Sequence, residues 1–286
     1  MLAYSYKLLS ISHLKTQETG RPNMDYIKLC QIFRSLALKS GAAIMDVYNS
    51  DKFEVSVKSD DSPITLADKK ADVIITKGLR KYFPNVPIIT EEQDSSHDVH
   101  APLFFIVDPL DGTKEFINRR GDFTVNIALV DQGAPVRGIV YAPARKRLFY
   151  TDSTGIAIEE KGAFDILKMG LVKKIQTALP DNKALKVVAS KSHRDQKTNE
   201  YISEYQYSDL LSAGSSLKFC LIAAGEADLY PRLGPTMEWD TAAGHAILSG
   251  AGGYVIKIED KEPLRYGKPG YKNPFFVAAS KKVILK

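Results

Sequence analysis

The chain is poor in cysteine: among 286 residues there are two, Cys30 and Cys220. Both fall at apolar positions of predicted helices, which excludes a disulfide framework and a thiolate metal site and fits a reducing compartment. Long hydrophobic runs are absent too; none approaches the roughly 20 apolar residues of a membrane-spanning helix. The mildly apolar start, Met1 to Leu14, is interrupted by Lys7 and no small-residue cleavage site follows, so no secretory leader is expected. Charge of one sign is also scarce. The net value is +5, from 39 basic and 34 acidic residues, with the lysines scattered. That argues against a nucleic-acid partner and mildly favours an anionic small molecule. Repeats and low-complexity linkers are missing. What is there, 44% hydrophobic and 26% charged residues, is the composition of a soluble globular protein long enough for a sizeable core. The expected location is cytoplasmic, with peripheral attachment to the cytoplasmic face of the inner membrane left open. The expected assembly is a monomer or weak homodimer.

The chain is organised around Leu103-Phe104-Phe105-Ile106-Val107-Asp108-Pro109-Leu110-Asp111-Gly112-Thr113. Five apolar residues in a row read as a buried strand. It runs into two carboxylates, and Pro109 cannot extend a ladder, so the strand is expected to stop at Asp108. Asp111-Gly112-Thr113 then opens a short helix through Phe116 and Asn118. Acids at the end of a buried strand are costly unless a cation or a donor answers them. Asp-Pro and Asp-Gly are also ordinary turn formers, so this stretch alone leaves a hard-cation site and a plain turn both open.

Residues 1–23 read either as a poorly ordered extension or as sequence preceding a natural start at Met24. Asp25 caps a helix to Tyr48, with Leu29, Phe33, Leu36, Ile44 and Val47 on one stripe. Val55 to Val57 is a short strand. Thr65 to Asp68 matches a capping box for a helix to Tyr82, which gives Asp68 a purely structural role. The strand Pro87 to Thr90 ends in Glu91-Glu92, and the loop histidines His97 and His100 are expected to be solvated. A meander follows: Phe123 to Val130, Val136 to Tyr141, Leu148 to Thr151 and Ile156 to Glu160. Ile166 to Leu179 reads as helix or loop. Strands at Lys186 to Ser190, Ala227 to Tyr230, Tyr254 to Ile258 and Phe275 to Ala279 alternate with helices ending near Tyr205, at Ala224 and at Gly250. The pattern predicts an α+β lobe over 24–160 and an α/β lobe over 161–286, packed closely with the site between them.

Four acids stand at element ends: Glu91, Asp108, Asp111 and Asp240. If they meet, four carboxylates and a backbone carbonyl suit two or three Mg²⁺ ions. No histidine or cysteine sits among them, which argues against zinc.

The set Glu91-Glu92, Asp108-Pro109-Leu110-Asp111-Gly112-Thr113 and Trp239-Asp240, in that order, resembles the metal-dependent, lithium-sensitive inositol monophosphatase superfamily. Lys58-Ser59-Asp60-Asp61-Ser62-Pro63-Ile64-Thr65 and Lys114-Glu115-Phe116 resemble its 3'(2'),5'-bisphosphate nucleotidase branch, with Ile64 where Val is usual and Thr90 where Gly often precedes the paired acids. The resemblance covers roughly residues 25–280. It implies a layered α-β-α-β-α sandwich and metal ligation by Glu91, Asp108, Asp111, Asp240 and the Leu110 carbonyl. It implies that Asp68 and Thr113 orient and activate the attacking water. The substrate would lie against Glu91, Leu110, Asp111, Gly112, Thr113 and Asp240, and its nucleotide part against His193, Ser215, Lys218 and Arg232. Ser215 reads equally as a helix cap and Lys218 as a solvated residue. The implied activity is Mg²⁺-dependent removal of the 3'-phosphate of adenosine 3',5'-bisphosphate, giving AMP in sulfur assimilation, with 3'-phosphoadenylyl sulfate as a further implied substrate. An inositol or sugar phosphatase shares the metal motifs, and a non-catalytic nucleotide-binding regulator would share the fold.

Overall fold

A computed structural model describes residues 24–50, 55–57, 63–162, 164–190 and 195–286. The expected extension 1–23, the Lys58–Ser62 stretch and His193 lie outside the described residues. The elements, in order, are α1 (Tyr26–Tyr48), β1 (Val55–Val57), β2 (Pro63–Thr65), α2 (Leu66–Tyr82), β3 (Ile88–Thr90), β4 (Leu103–Asp111) and α3 (Thr113–Ile117). The meander is β5 (Thr124–Asp131), β6 (Ala134–Ala142), β7 (Arg147–Thr151), β8 (Ala157–Lys161) and β9 (Leu171–Lys174). Then come β10 (Leu185–Ser190), α4 (Gln196–Ser203), β11 (Tyr207–Ala213), α5 (Leu217–Ala223), β12 (Leu229–Arg232), α6 (Ala242–Gly250), β13 (Tyr254–Lys257) and β14 (Phe276–Ala279).

Two sheets carry the fold. The first has seven strands in the order β3-β4-β5-β6-β7-β8-β9, the second five in the order β11-β10-β12-β14-β13. Because side chains alternate across a strand, β4 feeds two cores at once. Phe105 and Val107 face α1 and α2, packed with Leu29, Phe33 and Ile75. Phe104 and Ile106 face the opposite way, toward Phe219 of α5, Ile247 of α6 and Phe276 of the second sheet. A third core sets Val187, Leu229 and Val277 against Tyr201 and Ile202 of α4. The layers therefore run α1/α2, first sheet, α5/α6, second sheet, α4, the α-β-α-β-α sandwich expected. Among the described residues no helix is long and apolar enough to cross a membrane.

Two local expectations are corrected, and one further strand appears. The segment 166–179 contains a strand, β9, which pairs with β8. Residues 207–213, where the sequence predicts no element, form β11 beside β10. And β4 does not stop at Asp108: it continues to Asp111 across a register shift, pairing Asp108 with Asn126 and Asp111 with Thr124. Pro109 is tolerated because it falls in that bulge, and because β3 ends opposite Val107, leaving no donor demanded on that side.

Candidate active site

The parallel pairing of β3 with β4 puts Thr90 beside Val107, so both strands deliver their following acids, Glu91 and Asp108, to the same sheet edge. The bulge in β4 then brings Asp111 to that edge as well. Asp240 arrives from the other side, in the turn that enters α6 in the middle layer. One carboxylate oxygen from each of Asp108, Asp111 and Asp240 lies within 4.8 Å of the others. Glu91, with Leu110, Gly112 and Thr113, lines the same cleft of ≈ 630 Å³. Glu92 does not line it.

This gathering is electrostatically uncomfortable. Burial, then the charges of Glu91, Asp111 and Asp240, push the Asp108 carboxyl well above the usual carboxylate range. Burial and the charges of Asp111 and Glu91 do the same to Asp240. Asp111 is raised by burial, against Lys218, Asn126 and Ser216, which favour its anion. The three aspartate oxygens are close enough to share an ion, and no imidazole or thiolate sits among them. Such a set fits a hard divalent cation, which would relieve the repulsion.

Asp68 closes the cap expected of it and also meets Thr113. Its Oδ2 accepts from the Thr65 N–H (2.7 Å) and the Thr65 hydroxyl (2.6 Å), closing the capping box of α2. Its Oδ1 faces the Thr113 hydroxyl at 3.2 Å. Burial raises the Asp68 carboxyl, while the hydrogen bonds from Thr65 oppose that rise. The Thr113 oxygen also lies 3.3 Å from the Leu110 carbonyl. Gly112 makes the turn between them. Its φ is +91°, which strains any other residue, and a Cβ there would crowd the Asp122 carbonyl oxygen at 3.0 Å.

The nucleotide-side candidates are placed as follows. Lys218 is buried, not solvated; its Nζ donates to the Ser215 carbonyl at 2.6 Å and lies 5.2 Å from the Tyr230 ring centre. Burial lowers its amine to about 8, against the pull of Asp111. Arg232 is buried too, held by the Gly234 (3.2 Å) and Pro235 (2.6 Å) carbonyls. Both line the cleft. Ser215 does not cap α5; Ser216 is the N-cap, and Ser215 takes a left-handed φ of +51° with its buried hydroxyl unpartnered. The turn's need to lead Gly214 past Asp122 decides this, since a Cβ at Gly214 would meet the Asp122 carbonyl oxygen at 2.6 Å.

His97 is also not solvated as expected. It is half-buried, stacked on Trp239 at 4.8 Å between ring centres and within 2.9 Å of the Thr90 carbonyl. It braces the turn that carries Asp240. Residues missed in the sequence include Asn126 and Ser216, whose polar atoms surround Asp111. Asn126 left one signal, a polar residue inside the otherwise apolar run of β5. Ser216, one of five small residues at 212–216, left none.

The inositol monophosphatase family pattern matches residues 25–285. The chain is 44% identical over 252 residues to the 3'(2'),5'-bisphosphate nucleotidase CysQ of Salmonella typhimurium, covering 87% of this chain and 97% of that protein. It is 44% identical over 231 residues to the protein of the same name from Buchnera aphidicola, covering 80% and 82%. Among solved structures it is similar to CysQ from Bacteroides thetaiotaomicron, a bacterial member of the same family. That match has a TM-score of 0.77 at 37% identity, over 91% of this chain and 100% of the other.

Proposed function

The chain belongs to the inositol monophosphatase family, and from that premise we propose that it is a Mg²⁺-dependent phosphatase removing the 3'-phosphate of adenosine 3',5'-bisphosphate. One observation carries the reading: Asp108, Asp111 and Asp240 gather in one cleft beside the Thr113–Asp68 pair. Glu91, Asp108, Asp111, Asp240 and the Leu110 carbonyl would hold two or three ions. Bound there, Mg²⁺ supplies an acidified water and neutralises charge on the leaving oxygen.

The chain's own residues do the rest. Thr113 donates its proton to Asp68 Oδ1, which frees the threonine oxygen to accept from a water and hold it in line with phosphorus. Asp68 keeps its orientation because Thr65 pins its other oxygen. Gly112 lets the phosphate approach the backbone. Lys218 and Arg232, buried cations that line the cleft, suit the second phosphate of a nucleotide bisphosphate. The close nucleotidase relatives support this substrate class, and 3'-phosphoadenylyl sulfate presents the same 3'-phosphate.

The test is phosphate release across nucleotides and sugar phosphates, with and without Mg²⁺. Adenosine 3',5'-bisphosphate should be turned over only with the metal, and Asp111→Asn should abolish turnover. Rapid hydrolysis of inositol 1-phosphate with none of the nucleotide would reject the substrate. Turnover undiminished in Asp111→Asn would reject the metal-dependent mechanism.

A further inference from the structure

Two donors converge on one oxygen of Asp111. The Ser216 N–H reaches Oδ2 at 2.6 Å and the Asn126 side-chain amide at 3.1 Å. Among the described residues Oδ1 has no protein donor. The Ser216 hydroxyl meanwhile donates to the Asp240 carbonyl at 2.6 Å and accepts from the second Asn126 N–H at 2.8 Å. The Asn126 carbonyl is fixed in turn by the Thr124 hydroxyl at 2.9 Å, which sets the direction of the whole amide. Every polar atom of Ser216 that points into this region is therefore in use, and it is 1% exposed.

Asp111 and Asp240 belong to separate parts of the fold: one ends a strand of the first sheet, the other precedes α6 in the middle layer. Among the described residues Ser216 is the one that hydrogen-bonds to both, with its N–H on a side chain and its hydroxyl on a backbone. The left-handed Ser215 and the Gly214 packed on Asp122 present the Ser216 N–H in this direction. Buried carboxylates so close together drift apart unless something fixes them. A donor set that occupies one oxygen of a carboxylate also dictates which oxygen remains for a cation.

We propose that Ser216, oriented by Asn126, is a positioning residue that sets the separation of Asp111 and Asp240 and presents Asp111 Oδ1 to a divalent ion. The inference rests on the metal reading above and adds which side chain tunes it. It predicts that the hydroxyl matters more for cation affinity than for grip on the nucleotide.

The experiment is calorimetric titration of the purified full chain with MgCl₂ alone, for the wild type, Ser216→Ala and Ser216→Thr. Ser216→Ala keeps the N–H but loses the bridge, and its Mg²⁺ affinity should fall about tenfold. Ser216→Thr keeps a hydroxyl and should recover most of the loss. The KM for nucleotide, measured at saturating Mg²⁺, should move far less than the Mg²⁺ affinity in Ser216→Ala. Identical Mg²⁺ isotherms for wild type and Ser216→Ala would overturn the inference while leaving the phosphatase reading intact. An absence of Mg²⁺ binding by the wild type would overturn both. Loss of nucleotide and metal affinity in equal measure, without recovery in Ser216→Thr, would reduce Ser216 to general packing and also overturn it.

Discussion

Thr113 has one hydroxyl proton and two acceptors within reach, Asp68 Oδ1 at 3.2 Å and the Leu110 carbonyl at 3.3 Å. Only the first direction leaves the Leu110 oxygen free for an ion, and a charged acceptor makes the stronger bond. Asp68 separates its duties by atom: Oδ2 caps α2 and Oδ1 faces Thr113. That division makes a clean test. In Asp68→Asn the amide oxygen can still accept from Thr65, while the amide nitrogen turns a donor toward Thr113 and reverses the hydrogen bond. We expect kcat to fall by about 10² to 10⁴, with the thermal midpoint little changed. A large loss of stability in circular-dichroism melts, with kcat preserved in the folded fraction, would return Asp68 to its cap alone. In the sequence the cap was plain from Thr65 and Asp68, three apart. Which oxygen serves which partner was not, because that depends on where α3 comes to rest.

At the scale of elements, edge strands explain most of what the sequence hid. β9 and β11 are each the outermost strand of a sheet, and every residue of β9 is exposed. Such strands are held by hydrogen bonds to a neighbour rather than by a buried face, so they leave no apolar period to read. Helices α1 and α2 bury a stripe and carry side-chain caps, and both were legible to within a residue or two. The far edge of the first sheet is tied back to α1 by a buried ion pair. Arg34 meets Glu160 at 2.6 and 2.8 Å and also donates to the carbonyls of Asp165, Ile166 and Lys168. Burial alone would raise the Glu160 carboxyl. The Arg34 hydrogen bonds and the Gly170 N–H outweigh it and hold the group below its ordinary value. A depressed carboxyl contributes stability above its unfolded pKa of about 4.3, and that stability is lost as pH falls through the lower folded value. Glu160→Gln should therefore cost about 3 kcal/mol at pH 7, and the gap to wild type should narrow below about pH 4. Urea melts at pH 7 and pH 3.5 measure both; an equal gap at the two pH values would refute the assignment.

For the whole molecule, the site joins the first sheet to the middle layer, across a boundary packed largely by apolar side chains. Asp111 comes from the first sheet and Asp240 from the middle layer, and their repulsion opposes that packing. A cation bound there favours the folded state by mass action, by about 2.7 kcal/mol at a concentration 100 times its dissociation constant. Adding Mg²⁺ to chelator-treated protein should raise the melting midpoint by about 5 °C or more, and Asp108→Asn should abolish that rise. A midpoint insensitive to Mg²⁺ in the wild type would argue that no ion bridges these layers.

The sequence by itself determined the acids, the strand and turn chemistry that places each at an element's end, and the family to which the motifs belong. Those features are local: apolar runs, caps, a proline and a glycine act within a few residues of themselves. Tertiary structure alone decided that three aspartates stand within 4.8 Å, that Lys218 lies buried, and that Ser216 links Asp111 to Asp240. Such facts depend on how β4 registers against β5 and where α5 and α6 settle between the sheets. Those choices are made by the packing of apolar faces far along the chain, and no short stretch of sequence records them.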